Sequence, residues 1–112
     1  MLPLKNRLTK KKDFEVVFKE GKSVKNNFLI FKFLNNNLQE SRFGFVVSKK
    51  VSNKAVVRNK VKRRLRSAVS THLKSIKNSV DGVIIALPQS DKEDFAQVKQ
   101  AVETVFQKVK LK

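Results

Sequence analysis

Cysteine, tryptophan and tyrosine are absent from this chain of 112 residues, histidine occurs once, proline twice and glycine three times. The lack of cysteine excludes disulfides and thiolate metal ligands and is compatible with a reducing cytoplasm. The glycines, Gly21, Gly44 and Gly82, stand far apart, so no glycine-rich loop can cradle a phosphate. Imidazole acid–base chemistry would rest on His72 alone. Acidic residues are scarce, nine in all, and none forms the DxD type of cluster that holds a catalytic metal pair. No stretch approaches the ~20 apolar residues of a membrane span. The opening MLPLKNRLTKKKDF has no uninterrupted apolar segment of the signal-peptide kind. From these gaps we expect a protein without catalytic residues or a metal site of its own, located in the cytoplasm and not bound to membrane.

What is abundant is positive charge. Lysine and arginine number 26, giving a formal net charge of +17. The charge peaks between Ser48 and Arg66, where nine of nineteen residues are basic and none is acidic, inside an acid-free zone from Ser41 to Val80. Such self-repulsion destabilises a compact state unless something negative offsets it, and nucleic acid is the first candidate. The same segment carries Val57, Val61, Leu65, Ala68, Val69 and Ile76 at helical spacing. A folded amphipathic helix therefore fits better than a disordered basic tail.

The chain reads as one domain over residues 1–112, with residues 1–9 as an extended basic arm. A first helix is expected from about Lys10 to Glu20, with Phe14, Val17 and Phe18 on one face and Gly21 as a left-handed stop. Phe14 and Phe18 have two readings, core packing or a stacking surface for unpaired bases. Phe28–Leu34 and Arg42–Ser48 read as strands, joined through Asn35-Asn36-Asn37 and expected to pair antiparallel. A short strand near Ser23–Lys25 is weakly signalled. Ser52 or Asn53 is a candidate N-cap for a helix reaching Lys77, with Asn59, Lys60, Arg63, Arg66 and Ser67 outward. Arg58 falls within the apolar arc, in the first turn, and His72 falls there as a packed histidine. Gly82–Leu87 is an apolar run closed by Pro88 and reads as a buried strand. Ser90 and Glu93 have capping-box spacing before a last helix with Phe95, Val98, Val102, Val105, Phe106 and Val109 on one face. The fold class is α+β, a single-domain sandwich in the order α-β-β-β-α-β-α.

The run Arg58-Asn59-Lys60-Val61-Lys62-Arg63, preceded by Ser48-Lys49-Lys50-Val51 and Ala55-Val56-Val57, resembles the signature helix of the bacterial ribonuclease P protein component. Arg7-Leu8, Asp13-Phe14, Val17-Phe18 and Gly21 are similar to that family's first helix. The resemblance implies a subunit that binds ribonuclease P RNA and precursor tRNA, one protein per RNA, in a ribonucleoprotein that removes the tRNA 5′ leader. The RNA would carry the hydrolytic chemistry with magnesium, and the protein alone would bind no cofactor. It further implies RNA contacts from Lys49, Lys50, Arg58, Asn59, Lys60, Lys62, Arg63 and Arg66. A leader cleft would be lined by Phe14, Phe18 and Phe31, with Arg7 and Lys10 near its phosphates, and the long helix would lie in a left-handed βαβ crossover. Lys60 stands where the family signature has a second arginine, which keeps charge and loses the bidentate fork.

The competing reading is a general RNA-binding or ribosomal protein using the same basic helix, and an RNA-free nuclease is disfavoured by the missing carboxylate or histidine constellation. The uncompensated charge makes a prediction that holds for either RNA binder. Sulfate or phosphate should raise the thermal midpoint, because an anion that binds the folded state preferentially stabilises it. A midpoint measured by circular dichroism that does not move with anion concentration would refute this.

Overall fold

Four strands form one mixed sheet, and helices cover both of its faces, in a computed structural model that describes residues 2–109 and 111. Met1, at the start of the expected arm, and Lys110 and Lys112, at the end of the expected domain, lie outside the described residues. The elements are α1 (Lys11–Glu20), β1 (Lys22–Asn26), β2 (Leu29–Asn35), β3 (Arg42–Val46), α2 (Ala55–His72), β4 (Val80–Ala86) and α3 (Phe95–Lys108). The order α-β-β-β-α-β-α agrees with the expected one.

The sheet order is β1-β2-β4-β3. β1 and β2 form an antiparallel hairpin, β2 and β4 are antiparallel, and β3 runs parallel to β4. The expected direct pairing of the second and third strands is therefore wrong. Their directions are antiparallel, but β4 lies between them. The reason is hydrophobic demand: β4 (VDGVIIA) is apolar along nearly its whole length and takes the place where both faces are covered. The asparagine turn bridges that gap. Asn36 Oδ1 accepts from Leu38 N at 2.8 Å, an Asx-turn, and Asn37 is left-handed at φ 56°. β3, α2 and β4 thus make a parallel pair with a helical crossover.

Alternation along the strands divides the core in two. Leu29, Phe31, Phe43, Val80 and Ile84 meet Val61, Leu65, Ala68 and Val69 of α2 and Val98, Val102, Val105 and Phe106 of α3. On the other face Val83 lies beneath Leu8 and Val17, flanked by Phe14, Leu34, Val46 and Ile85. His72 is buried edge-on to Phe106, a packed histidine as expected.

Several local expectations are corrected. The segment before α1 is not an extended arm throughout, because Leu4–Asn6 forms a 3-10 turn and Leu2, Asn6 and Leu8 are buried. Its apolar residues find core surface, and Leu8 N donates to Phe43 O at 2.9 Å along the outer edge of β3. Gly21 is extended at φ −76° and ψ 158°. Its small size is needed for close approach, since a Cβ would lie 2.5 Å from Val17 O and 2.8 Å from Phe33 O. Neither Ser52 nor Asn53 caps α2: its N-cap is Lys54, and Ser52 Oγ accepts from Lys54 N at 3.1 Å in the preceding turn. α2 ends at His72 and passes through a 3-10 turn, Leu73–Ser75, because the chain must turn back to reach β4. The capping box of α3 is Asp94 with Gln97, four residues after Ser90, which instead opens a 3-10 turn. Phe95 is consequently rotated outward, and Ala101 joins the buried face in its stead.

One polar cluster ties these parts together. Arg42 donates through Nε to Asp81 Oδ1 at 2.8 Å and through Nη2 to Asp81 Oδ2 at 2.6 Å. Its Nη1 reaches Asp13 Oδ2 of α1 at 3.5 Å, and Asn36 Nδ2 adds a 2.9 Å bond to Asp81 Oδ1. The hydrogen bonds to Asp81 are the main cause of an Arg42 pKa above its ordinary value, with the Asp81 and Asp13 charges adding to it and burial opposing. Arg42→Met should destabilise the fold by about 2–4 kcal/mol in urea titrations, because a mostly buried carboxylate loses its forked partner. A loss below ~0.5 kcal/mol would show that the pair contributes no more than an exposed surface bridge.

Candidate nucleic-acid interface

α1 covers only part of its face of the sheet. Across that face run the registered rows Ser23–Lys32–Val83–Gly44 and Lys25–Ile30–Ile85–Val46. The first row lies under α1, where Val83 is buried and Phe14 packs on Gly44 so closely that an added Cβ would collide with its ring. In the second row Ile30, Ile85 and Val46 stay half-exposed, an apolar floor beside the helix. Phe18, 41% exposed, stands over this side with the Lys32 ammonium 5.4 Å from its ring centroid. Exposed aromatic rings over an apolar floor, with lysines beside them, suit unpaired bases and their phosphates.

Two of the three expected cleft aromatics fit this surface. Phe14 serves both readings, wedged on Gly44 and half-exposed, while Phe18 contributes little to the core. Phe31 does not fit. It is 0% exposed on the opposite face, stacked on Phe33 at 5.4 Å and edge-on to Phe106 at 5.3 Å. Strand parity is the cause: Leu29, Phe31 and Phe33 point to α2 and α3, whereas Ile30, Lys32 and Leu34 point to α1. Ile30, Lys32, Ile85 and Val46 line this surface and were not singled out from the sequence. Period-2 alternation within Phe28–Leu34 held the signal, but a run apolar on both faces does not say which face is open.

The basic residues sort by what they touch. Lys49 and Lys50 are exposed in the turn before α2, and Lys10 is exposed at the start of α1. Asn59, Lys60 and Arg63 are exposed on α2, with Lys62 and Arg66 half-buried. Arg58 donates to Ser52 O at 3.0 Å and so fixes the turn that carries Lys49 and Lys50. Arg64 donates to Glu93 O at 3.0 Å and Asp91 O at 3.4 Å, locking the loop before α3. Among the described residues no lysine or arginine of α2 forms an ion pair with a carboxylate.

The two basic regions meet at the outer edge of β3. A groove of about 260 Å³ is lined there by Arg7, Leu8, Thr9 and Phe14 on one side and Arg66 of α2 on the other, over Phe43–Phe45. Among the described residues no group of three or more histidines and carboxylates could hold a metal ion. Asp13 and Asp81 converge on the Arg42 guanidinium, so this pair does not fit a divalent cation.

Known proteins resemble this chain over nearly its whole length. A family model described as Ribonuclease P matches residues 2–110. The ribonuclease P protein component of Alkaliphilus metalliredigens is 40% identical over 106 residues, covering 95% of each chain. That of Bacillus velezensis is 39% identical over 108 residues, covering 96% of this chain and 91% of its own. Among solved structures, the Staphylococcus aureus RNase P protein superposes with a TM-score of 0.85 at 33% identity, covering 95% of this chain and 96% of that one. The Thermotoga maritima RNase P protein gives 0.80 at 33% identity over 88% and 93%.

The placement of the aromatics makes a prediction that separates surface from core. Phe31→Ala should cost about 3–5 kcal/mol of stability, as a large side chain lost from a packed core does. Phe18→Ala should cost less than ~1 kcal/mol. Equal losses in denaturant titrations would put Phe18 in the core and remove it from the interface.

Proposed function

The chain belongs to the ribonuclease P protein family, and from that membership we propose that its α1 cleft binds the 5′ leader of precursor tRNA while the α2 face meets ribonuclease P RNA. As a ribonuclease P protein component it is part of the tRNA-processing holoenzyme and a partner of the ribonuclease P RNA. No helix among the described residues is long and apolar enough to cross a membrane. The observation that carries the leader reading is the half-exposed row Ile30–Ile85–Val46 beside Phe14, Phe18 and Lys32. It offers stacking and apolar contact to bases and a cation to the backbone, without the deep polar pockets that would read sequence.

In this reading the protein does no bond-breaking. Phe18 and Phe14 stack leader bases, Lys32 and Lys10 neutralise leader phosphates, and Lys60, Lys62, Arg63 and Asn59 face the structured RNA. Lys49 and Lys50 extend that face from the adjoining turn, oriented by Arg58. In this reading the magnesium of the holoenzyme's hydrolytic chemistry is held by RNA. One protein serves one RNA, in the cytoplasm.

Reconstitution with the cognate RNA tests this. The holoenzyme should bind precursor tRNA more tightly than mature tRNA, and Phe18→Ala should remove about 1–3 kcal/mol of that preference per stacked base. Equal affinity of the wild-type holoenzyme for precursor and mature tRNA would favour a general RNA-binding role and end the leader reading.

A further inference from the structure

Arg58 is the first residue of the basic run on α2, yet it does not face outward with the residues that follow it. It stands three residues before Val61 and seven before Leu65, both buried, so the helix turns it toward the protein. Asn59, Lys60 and Arg63 are exposed, whereas Arg58 is half-buried and its Nη1 donates to Ser52 O at 3.0 Å. The bond reaches back past the start of α2 and ties the helix to the segment before it. A hydrogen bond from a guanidinium is stronger than one between neutral groups, and here it acts on a backbone carbonyl.

That segment carries two exposed lysines on few restraints. Val51 N donates to Ser48 O at 3.1 Å, closing a turn with Lys49 and Lys50 at its tip, and Ser48 Oγ accepts from Lys50 N at 3.2 Å. Val51 is buried in the larger core and anchors one end. At the other end Ser52 Oγ accepts from Lys54 N at 3.1 Å, but α2 has no side-chain N-cap and no acidic residue in its first turn. A capping carboxylate is the usual way to settle a helix start. At this place it would also neutralise Lys49, Lys50 and Lys54. Arg58 fixes the start and cancels none of that charge. Neighbouring lysines repel one another and gain freedom when a turn loosens, so their arrangement depends on such a restraint.

We propose that Arg58 is a positioning residue for binding of the RNA subunit and not itself an RNA contact: through Ser52 O it holds the turn that presents Lys49 and Lys50 to RNA phosphates. One arginine thereby governs two cationic contacts that are not its own. Ordering the turn before RNA arrives removes an entropy cost that the two lysines would otherwise meet on binding. This role rests on the reading of the α2 face given above and divides that face into residues that touch RNA and one that aims them.

The test measures the affinity of the full chain for its RNA subunit against potassium concentration at fixed magnesium. The slope of the double-logarithmic plot counts neutralised phosphates, at about 0.7–0.9 per contact. Lys49→Gln combined with Lys50→Gln should lower the slope by about 1.4–1.8, the share of two contacts. Arg58→Gln should lower it by nearly as much, although it removes one charge, and should add little to the lysine pair in the triple variant. A direct contact would instead lower the slope by about 0.7–0.9 and add in full to the lysine pair. That result, or an unchanged slope for Arg58→Gln or for the lysine pair, would overturn the positioning role. In the RNA-free protein, hydrogen exchange at the Lys50, Val51 and Lys54 amides should quicken in Arg58→Gln while amides from Val61 onward in α2 keep their rates. Equal acceleration throughout α2 would show a general loss of stability and overturn the role as well. If circular dichroism shows Arg58→Gln to be unfolded, Arg58→Lys takes its place. It keeps the charge and loses the fork, so a slope below that of the wild type is expected, and an unchanged slope would overturn the role. Lys60→Gln combined with Arg63→Gln, measured alongside, separates the two readings. If that pair leaves the affinity unchanged, the reading of the α2 face itself fails; if it weakens binding and Arg58→Gln does not couple to the lysine pair, the positioning role alone fails.

Discussion

The Arg42 guanidinium holds the interface in shape. It lies between Asp81 of β4 and Asp13 of α1, and Asn36 of the β2–β3 connection shares the Asp81 carboxylate. Residues of α1, β3, β4 and the β2–β3 connection meet at one ion cluster, and two of the nine acidic residues are used there. α1 otherwise touches the sheet through a small apolar set, Leu8, Val17 and Val83 with Phe14 and Leu34, beside the much larger core under α2 and α3. A helix seated on so few contacts needs its angle fixed by something directional, and a forked arginine–carboxylate pair provides that. The width of the open strip beside α1, where Ile30, Ile85 and Val46 are half-exposed, follows from where this cluster seats the helix.

Element types were legible in the sequence because they depend on local periodicity. The α2 stripe Val61, Leu65, Ala68 and Val69 is buried as its spacing requires, and the apolar run of β4 is a central strand. Strand adjacency was not legible. Asn35-Asn36-Asn37 signals that the chain turns, and Asn36 and Asn37 do turn it, but no local signal tells whether a strand from later in the chain will enter between. Arg42 and Asp81 illustrate the same limit. They are separated by |i−j| = 39 and become neighbours only once β3 and β4 are paired in parallel register.

The candidate site was half legible for a related reason. Residues on helices were placed better, since a 3.6-residue period assigns a face from spacing alone: Asn59, Lys60 and Arg63 of α2 are exposed where it puts them, whereas Arg66, expected outward, is half-buried. Phe31 failed because β2 is apolar on both faces, so parity without a known partner layer has two solutions. Caps were misread where two candidates lay within a few residues: Asp94 with Gln97 won over Ser90 with Glu93 and turned Phe95 outward.

Charge in this chain carries less information by its amount than by its partners. Near Ser48–Arg66 every basic residue contributes equally to the count, yet the folded helix divides them. Arg58 and Arg64 satisfy carbonyls that would otherwise be left at loop ends, and they do for the fold what capping side chains do elsewhere. Removing such an arginine would free the turn of Lys49 and Lys50 or the loop before α3. Among the described residues the remaining cations of α2 form no ion pair with a carboxylate, a deficit that a polyanionic partner would offset. Counterion release scales with the number of cations that reach phosphates and not with the net charge of the chain. Two of the four arginines of α2 thus carry a structural role that composition does not show.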